Sequence, residues 1–141
     1  MKQDILTSEN VTLLVKTFYG NLLLNEEVKP VFEHVDFETH MPHMIAFWEF
    51  VLLDKEGYTT NVFDKHVNLP LTENHFKIWL TIFESTVNHL FEGENAQKAI
   101  LRAQTIGYSF EHKLKQIIMY LPMGTLINLV EIRIKNTVRN N

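Results

Sequence analysis

The chain has no cysteine in its 141 residues, which excludes disulfides, thiolate catalysis, iron–sulfur clusters and any cysteine-ligated metal in one step. Histidine, with seven copies, is the soft nitrogen ligand that remains. Glycine and proline are sparse, at 5 and 4 residues, and the apolar residues between them recur at three and four rather than at two, which predicts an all-α fold. Excess positive charge is lacking too. Lys and Arg total 13 against 17 Asp and Glu, the net charge is -4, and the basic residues form no run, so nothing draws the chain to nucleic acid. The opening MKQDILTSEN has acidic residues and no apolar centre, so it does not read as a secretory signal, and a cytoplasmic location is the default expectation. No transmembrane segment is expected either. The uncharged stretch from Gln116 to Val130 is broken by Pro122 and Gly124 and falls short of the roughly 20 residues that cross a bilayer.

What the chain does have is aromatic volume. Ten Phe and two Trp exceed what a small core strictly requires, which suits either a phenylalanine-rich core or a domain wrapped around a large flat apolar ligand. The length fits one domain. Thr7 or Ser8 can cap a first helix with the stripe Val11, Leu14, Val15, Phe18 and Leu22, and Tyr19 lies beside Phe18. Asn25 to Lys29 is a polar break, followed by a short helical turn at Pro30 that carries Phe32 inward. The second helix bears His40, His43, Met44, Phe47, Trp48, Val51 and Leu52. Its start is ambiguous: a Thr39 cap places Pro42 in the first turn, whereas an Asp36 cap places it deeper, with a kink. A loop is expected from Asp54 to Asn61.

Thr72 then caps a helix that buries Phe76, Trp79, Leu80, Phe83, Val87 and Leu90 and ends near Gly93. Asn95 is the expected cap of the last long helix, with the stripe Ala99, Ala103, Ile106, Phe110, Leu114 and Ile117, stopping before Pro122. Its alanines and Gly107 are expected to admit a close neighbour. Beyond it Val130, Ile132 and Ile134 alternate with charged residues, so strand and helix compete there. A packed extra element or a dimer contact is the expected role of that tail, ahead of a membrane-surface anchor.

The stretch FDKHVNLPLTENHFKIW, from Phe63 to Trp79, carries the distinctive chemistry. His66 sits among Phe63, Val67 and Leu69, ahead of Pro70, with no carboxylate spaced to share a metal with it. Zinc asks for three or four protein ligands, whereas a haem brings four nitrogens and asks the protein for one base. A lone imidazole in an apolar setting therefore suits an axial ligand, although from this stretch alone most such histidines are ordinary core or surface residues.

The order of elements and four motifs resemble the truncated haemoglobins of group III. The motifs are Phe18-Tyr19, Phe37-Glu38-Thr39-His40 followed by Phe47-Trp48, Lys65-His66-Val67-Asn68-Leu69-Pro70, and Phe76-Lys77-Ile78-Trp79. The similarity runs from about residue 8 to 118, which implies a two-over-two helical sandwich around haem at 1–121 and a C-terminal extension at 122–141 of unknown role. Position by position, the resemblance implies that His66 is the proximal iron ligand and that Tyr19, His40 and Trp79 line the distal side. Pro42, two residues after His40, departs from the family's pattern and leaves His43 as a competitor for the distal role.

The implied cofactor is haem b, touched by Phe32, Met44, Phe47, Phe63, Val67 and Phe76, with Lys65, His43 and His75 as candidates to meet its propionates. The implied ligands are dioxygen, carbon monoxide and nitric oxide, and the implied function is reversible gas binding of the oxygen-transport type. Two alternatives accompany it. One is a nitric oxide detoxifying or peroxidase-like enzyme on the same scaffold, served by a reductase, although a ligand-binding protein is the reading preferred over a dedicated enzyme. The other is a cofactor-free helical interaction domain, or a zinc binder built on His40 and His43. The oligomeric state is not legible.

Overall fold

The computed structural model describes residues 1–56 and 71–120, with side chains through 109. His66, Phe63, Val67, Lys65 and the extension 122–141 lie outside the described residues. Among those described, the chain is all-helical: α1 (Ser8–Leu22), a 3-10 turn (Lys29–Phe32), α2 (Phe37–Leu53), α3 (Glu73–Leu90) and α4 (Glu94–Tyr120). The helices α3 and α4 pack together most extensively, α1 lies against both α2 and α3, and α2 crosses onto α4. The four helices thus pack as two contacting pairs laid against each other, as the resemblance leads one to expect. No helix among the described residues is long and apolar enough to cross a membrane.

Each start is fixed by side-chain chemistry. The Thr7 hydroxyl accepts from the Asn10 backbone N–H while the Asn10 amide oxygen accepts from that of Thr7, so α1 opens on a reciprocal capping box. Thr72 and His75 repeat the device at α3, with His75 Nδ1 accepting from the Thr72 N–H at 3.0 Å. The Asn25 side chain accepts from the N–H groups of Glu27 and Val28, turning the chain so that Val28, Val31 and Phe32 all face inward. Asp36, not Thr39, caps α2. Pro42 therefore occupies the sixth helical position, where its missing N–H deprives the Glu38 carbonyl of its helical partner.

The start of the last helix corrects an expectation. It begins at Glu94, so Asn95 lies inside its first turn rather than capping it. The cap comes from the N-terminus of the chain: the Asp4 carboxylate accepts from the N–H groups of Asn95 and Ala96, both at 2.9 Å, while the Asn95 amide donates to the Ile5 carbonyl at 2.7 Å. Burial raises the Asp4 pKa, but the N–H groups of Asn95, Ile5, Ala96 and Glu94 outweigh it and hold the carboxyl below its ordinary value. Local sequence gave no sign of a cap supplied from some ninety residues away.

Gly93 has φ +142°, and a Cβ there would lie 2.5 Å from Asp4 Cγ, so this turn requires glycine on two counts. The alanines Ala96, Ala99 and Ala103 of this helix are fully buried, as close approach of a neighbour requires, while among the described residues nothing comes within 4 Å of where a Cβ on Gly107 would stand. Four residues after Asp4, Ser8 Oγ donates to Glu49 Oε2 at 2.7 Å and Lys55 pairs with the same oxygen at 2.8 Å, which ties the start of α1 to the end of α2.

Candidate functional site

The third turn of α1 places Phe18 and Tyr19 side by side, and both are buried. Across from them α3 presents Trp79 and Phe83, four residues apart and so on one helical face. Trp48 on α2 completes the set. These rings form one continuous wall. The Trp79 and Phe83 planes are nearly parallel, 5.8 Å between centroids and 14° apart, and Phe83 stacks in turn on Trp48 at 4.9 Å and 21°. Phe18 meets Tyr19, Phe83 and Trp79 edge-on at 4.8, 5.1 and 5.7 Å, the arrangement that ring quadrupoles favour. Phe37, the first residue of α2, brings its ring within 5.5 Å of Tyr19 and 6.3 Å of Phe32.

One polar interaction runs through this wall. Trp79 acts on the Tyr19 side chain so as to favour its ionised form slightly, and since an indole nitrogen can only donate, the phenol oxygen is the acceptor in that interaction. The phenol's own proton is not consumed by it. Burial pushes the Tyr19 pKa well above the usual tyrosine range, more than Trp79 lowers it, so the hydroxyl stays protonated and able to donate at every physiological pH.

The surroundings are otherwise apolar. Among the described residues Thr86 is the buried polar side chain; its hydroxyl accepts from the Asn21 amide at 3.2 Å and donates to the Ile82 carbonyl at 2.8 Å. Phe32, Met44 and Phe76 belong to the buried core, and Phe47 packs half-buried against it, 5.1 Å from Trp48. His40 is half-buried on α2, while His43 one turn later is exposed. His75 spends Nδ1 on the cap of α3. The structure thus brings Tyr19 and Trp79 together, sets His40 on the neighbouring helix, and leaves His66, Phe63 and Val67 outside the described residues.

Such a donor set suits some ligands and not others. No three His, Asp or Glu side chains among the described residues are grouped to hold a metal ion, so a zinc site built on His40 and His43 lacks its further ligand there. A wall of rings with one neutral hydroxyl and no buried charge fits a flat apolar macrocycle bearing a small, weakly polar ligand. Sequence reasoning missed two members. Phe37 precedes the apolar stripe and was visible as a motif residue only, and Trp48 was read as packing because nothing in helical spacing reveals that both indoles would stack on Phe83.

Comparison with known proteins gives the same picture. No protein-family model matches the chain. It is 26% identical over 121 residues to the group 3 truncated hemoglobin ctb of Campylobacter jejuni, covering 81% of this chain and 95% of that one. The crystal structure of a group III truncated hemoglobin from Campylobacter jejuni superposes with a TM-score of 0.73 at 27% identity and the same coverage of both chains.

Proposed function

This chain is a homologue, in sequence and in fold, of the group III truncated haemoglobins, and from that premise we propose that it binds haem b through His66 and takes up dioxygen on the opposite face. His66 serves as the proximal base, with Phe32, Met44, Phe47, Phe63, Val67 and Phe76 against the macrocycle. When bound, haem supplies an iron that accepts one diatomic gas molecule beside its single protein ligand.

The protein's own contribution is the Tyr19 hydroxyl, and the observation that carries the reading is its burial in the ring wall beside Phe18 and Phe37, with Trp79 against the same Phe18 ring. Because the Trp79 indole can only donate, it leaves the phenol proton free to donate to a gas ligand whose outer atom carries partial negative charge. A hydrogen bond to a charged group in a dry setting is worth roughly 1.5 to 3 kcal/mol, or about a tenfold to hundredfold slower ligand escape. That favours retention of dioxygen over the quick release a bulk carrier needs. His40, half-buried on α2, is the candidate to compete for the same face.

Absorption spectra of the haem-reconstituted protein in its ferric, ferrous and carbonyl forms test the proposal. The wild-type chain is expected to show an intense Soret band, and His66→Ala is expected to lose it or hold haem only weakly. Undiminished Soret intensity in His66→Ala contradicts the proximal assignment, and a low-spin six-coordinate ferric spectrum that His40→Ala abolishes assigns His40 as a resting-state ligand.

A further inference from the structure

We propose that the stack Trp79, Phe83, Trp48 conducts a one-electron oxidising equivalent away from the gas-binding face, so that oxidation by hydrogen peroxide comes to rest on Trp48. The inference rests on the haem reading above. Both tryptophans of the chain stack on Phe83, at 5.8 and 4.9 Å between centroids and with ring planes 14° and 21° from parallel. Cysteine, the usual competing sink, is absent from the sequence.

Tyr19 is nearest in kind to an alternative resting place, and its surroundings disfavour it. A tyrosine that loses an electron must also shed its proton, and burial disfavours the ionised form of this phenol, whereas the indoles can give up an electron without losing a proton and remain radical cations. Phenylalanine is too hard to oxidise to stop the charge, so Phe83 acts as a bridge.

The balance is simple. Reduction of hydrogen peroxide to two waters takes two protons, which solvent supplies, and two electrons, of which Trp79 gives one. The other comes from the haem and is restored by a second molecule of a one-electron donor of the ascorbate class. The Trp79 radical cation then takes an electron from Trp48 across Phe83. No bond forms or breaks in that hop and no proton moves. A small one-electron donor of the ascorbate class returns Trp48 to its closed-shell form by giving up one electron.

The test uses the haem-loaded full chain, treated with one equivalent of hydrogen peroxide in the presence of a nitrone spin trap, with the adduct located by peptide mass spectrometry. The wild-type adduct is expected on Trp48. Phe83→Leu, which keeps an apolar side chain but removes the bridging ring, is expected to shift the Trp48:Trp79 adduct ratio about tenfold toward Trp79. Trp48→Phe is expected to move the adduct to Trp79 and to speed peroxide bleaching of the Soret band, and it decides the matter if Phe83→Leu does not fold. An adduct confined to Tyr19 or Trp79 in the wild type, an unchanged ratio in Phe83→Leu, or unchanged bleaching in Trp48→Phe overturns the relay. A chain that takes up no haem, seen as a missing Soret band before peroxide is added, overturns the haem reading as well and is thereby told apart from failure of the relay alone.

Discussion

Two regions along α3 are held by opposite kinds of force. Around Trp79 and Phe83, in its middle, rings meet rings with one polar interaction among them. Past its C-terminus, the N-terminal segment is clasped to the turn before α4 almost wholly by directed polar contacts: Asp4 to the first N–H groups of α4, Glu92 N–H to the Gln3 carbonyl at 2.9 Å, and Lys2 Nζ to the Asn88 carbonyl at 2.6 Å. Ile5 is its buried anchor. The aromatic wall draws its stability from burial, which is strong and tolerant of angle, so a single hydroxyl there is left to do chemistry. The clasp draws on hydrogen bonds and a capped helix end, each worth little but strict in geometry. Changes in the wall should therefore alter stability and gas binding together, and changes in the clasp should alter stability alone.

The largest expected effect is in the wall. Phe18 touches three other rings and is 2% exposed, so Phe18→Ala should cost about 3–5 kcal/mol in urea unfolding and also disturb the Tyr19 hydroxyl it packs against. A loss below 1 kcal/mol would mean that the rings are not a packed unit. Next comes Gly93→Ala, with its positive φ and the close Asp4 carboxyl. It should cost on the order of 2 kcal/mol while leaving the optical spectrum of the haem-loaded protein unchanged, and an altered spectrum would join the two regions that the comparison separates.

The smallest effect is expected from Asp4→Ala, about 1 kcal/mol at neutral pH as for other lost helix caps. Its pH dependence has a definite sign. The Asp4 pKa is lower in the folded chain than its ordinary 3.8, so its stabilisation is present above that value and is lost as pH falls below it through the folded value. The stability gap between wild type and Asp4→Ala should therefore close in acid. A gap that stays constant from pH 7 to pH 3 would show that the carboxylate charge contributes nothing.

The same comparison shows what the sequence could and could not reveal. The wall was legible because helical periodicity reports which residues turn inward: Phe18, Trp48, Phe76 and Phe83 all lay on apolar stripes and all are buried. Periodicity says nothing about which inward residues meet, so the meeting of Trp79 and Tyr19 on Phe18 and the stacking on Phe83 had to come from the fold. Capping residues beside their helices, Thr7 and Thr72, were readable because their partners are three residues away. Asp4 was not, since the N–H groups it satisfies are distant in sequence. The start of α2 fell between these cases. Thr39 and Asp36 are both good caps, and Pro42 favoured the later one, yet Asp36 prevails with Phe37 then packed on Tyr19, a tertiary contact that local propensity does not see.

The account turns on a buried phenol whose proton is left free to donate. Stopped-flow measurement of dioxygen release from the ferrous, haem-loaded protein tests this most directly, comparing wild type with Tyr19→Phe, which removes the hydroxyl and keeps the ring. Release should quicken by about tenfold to a hundredfold in Tyr19→Phe. Equal release rates in the two proteins, with haem content matched, would contradict it.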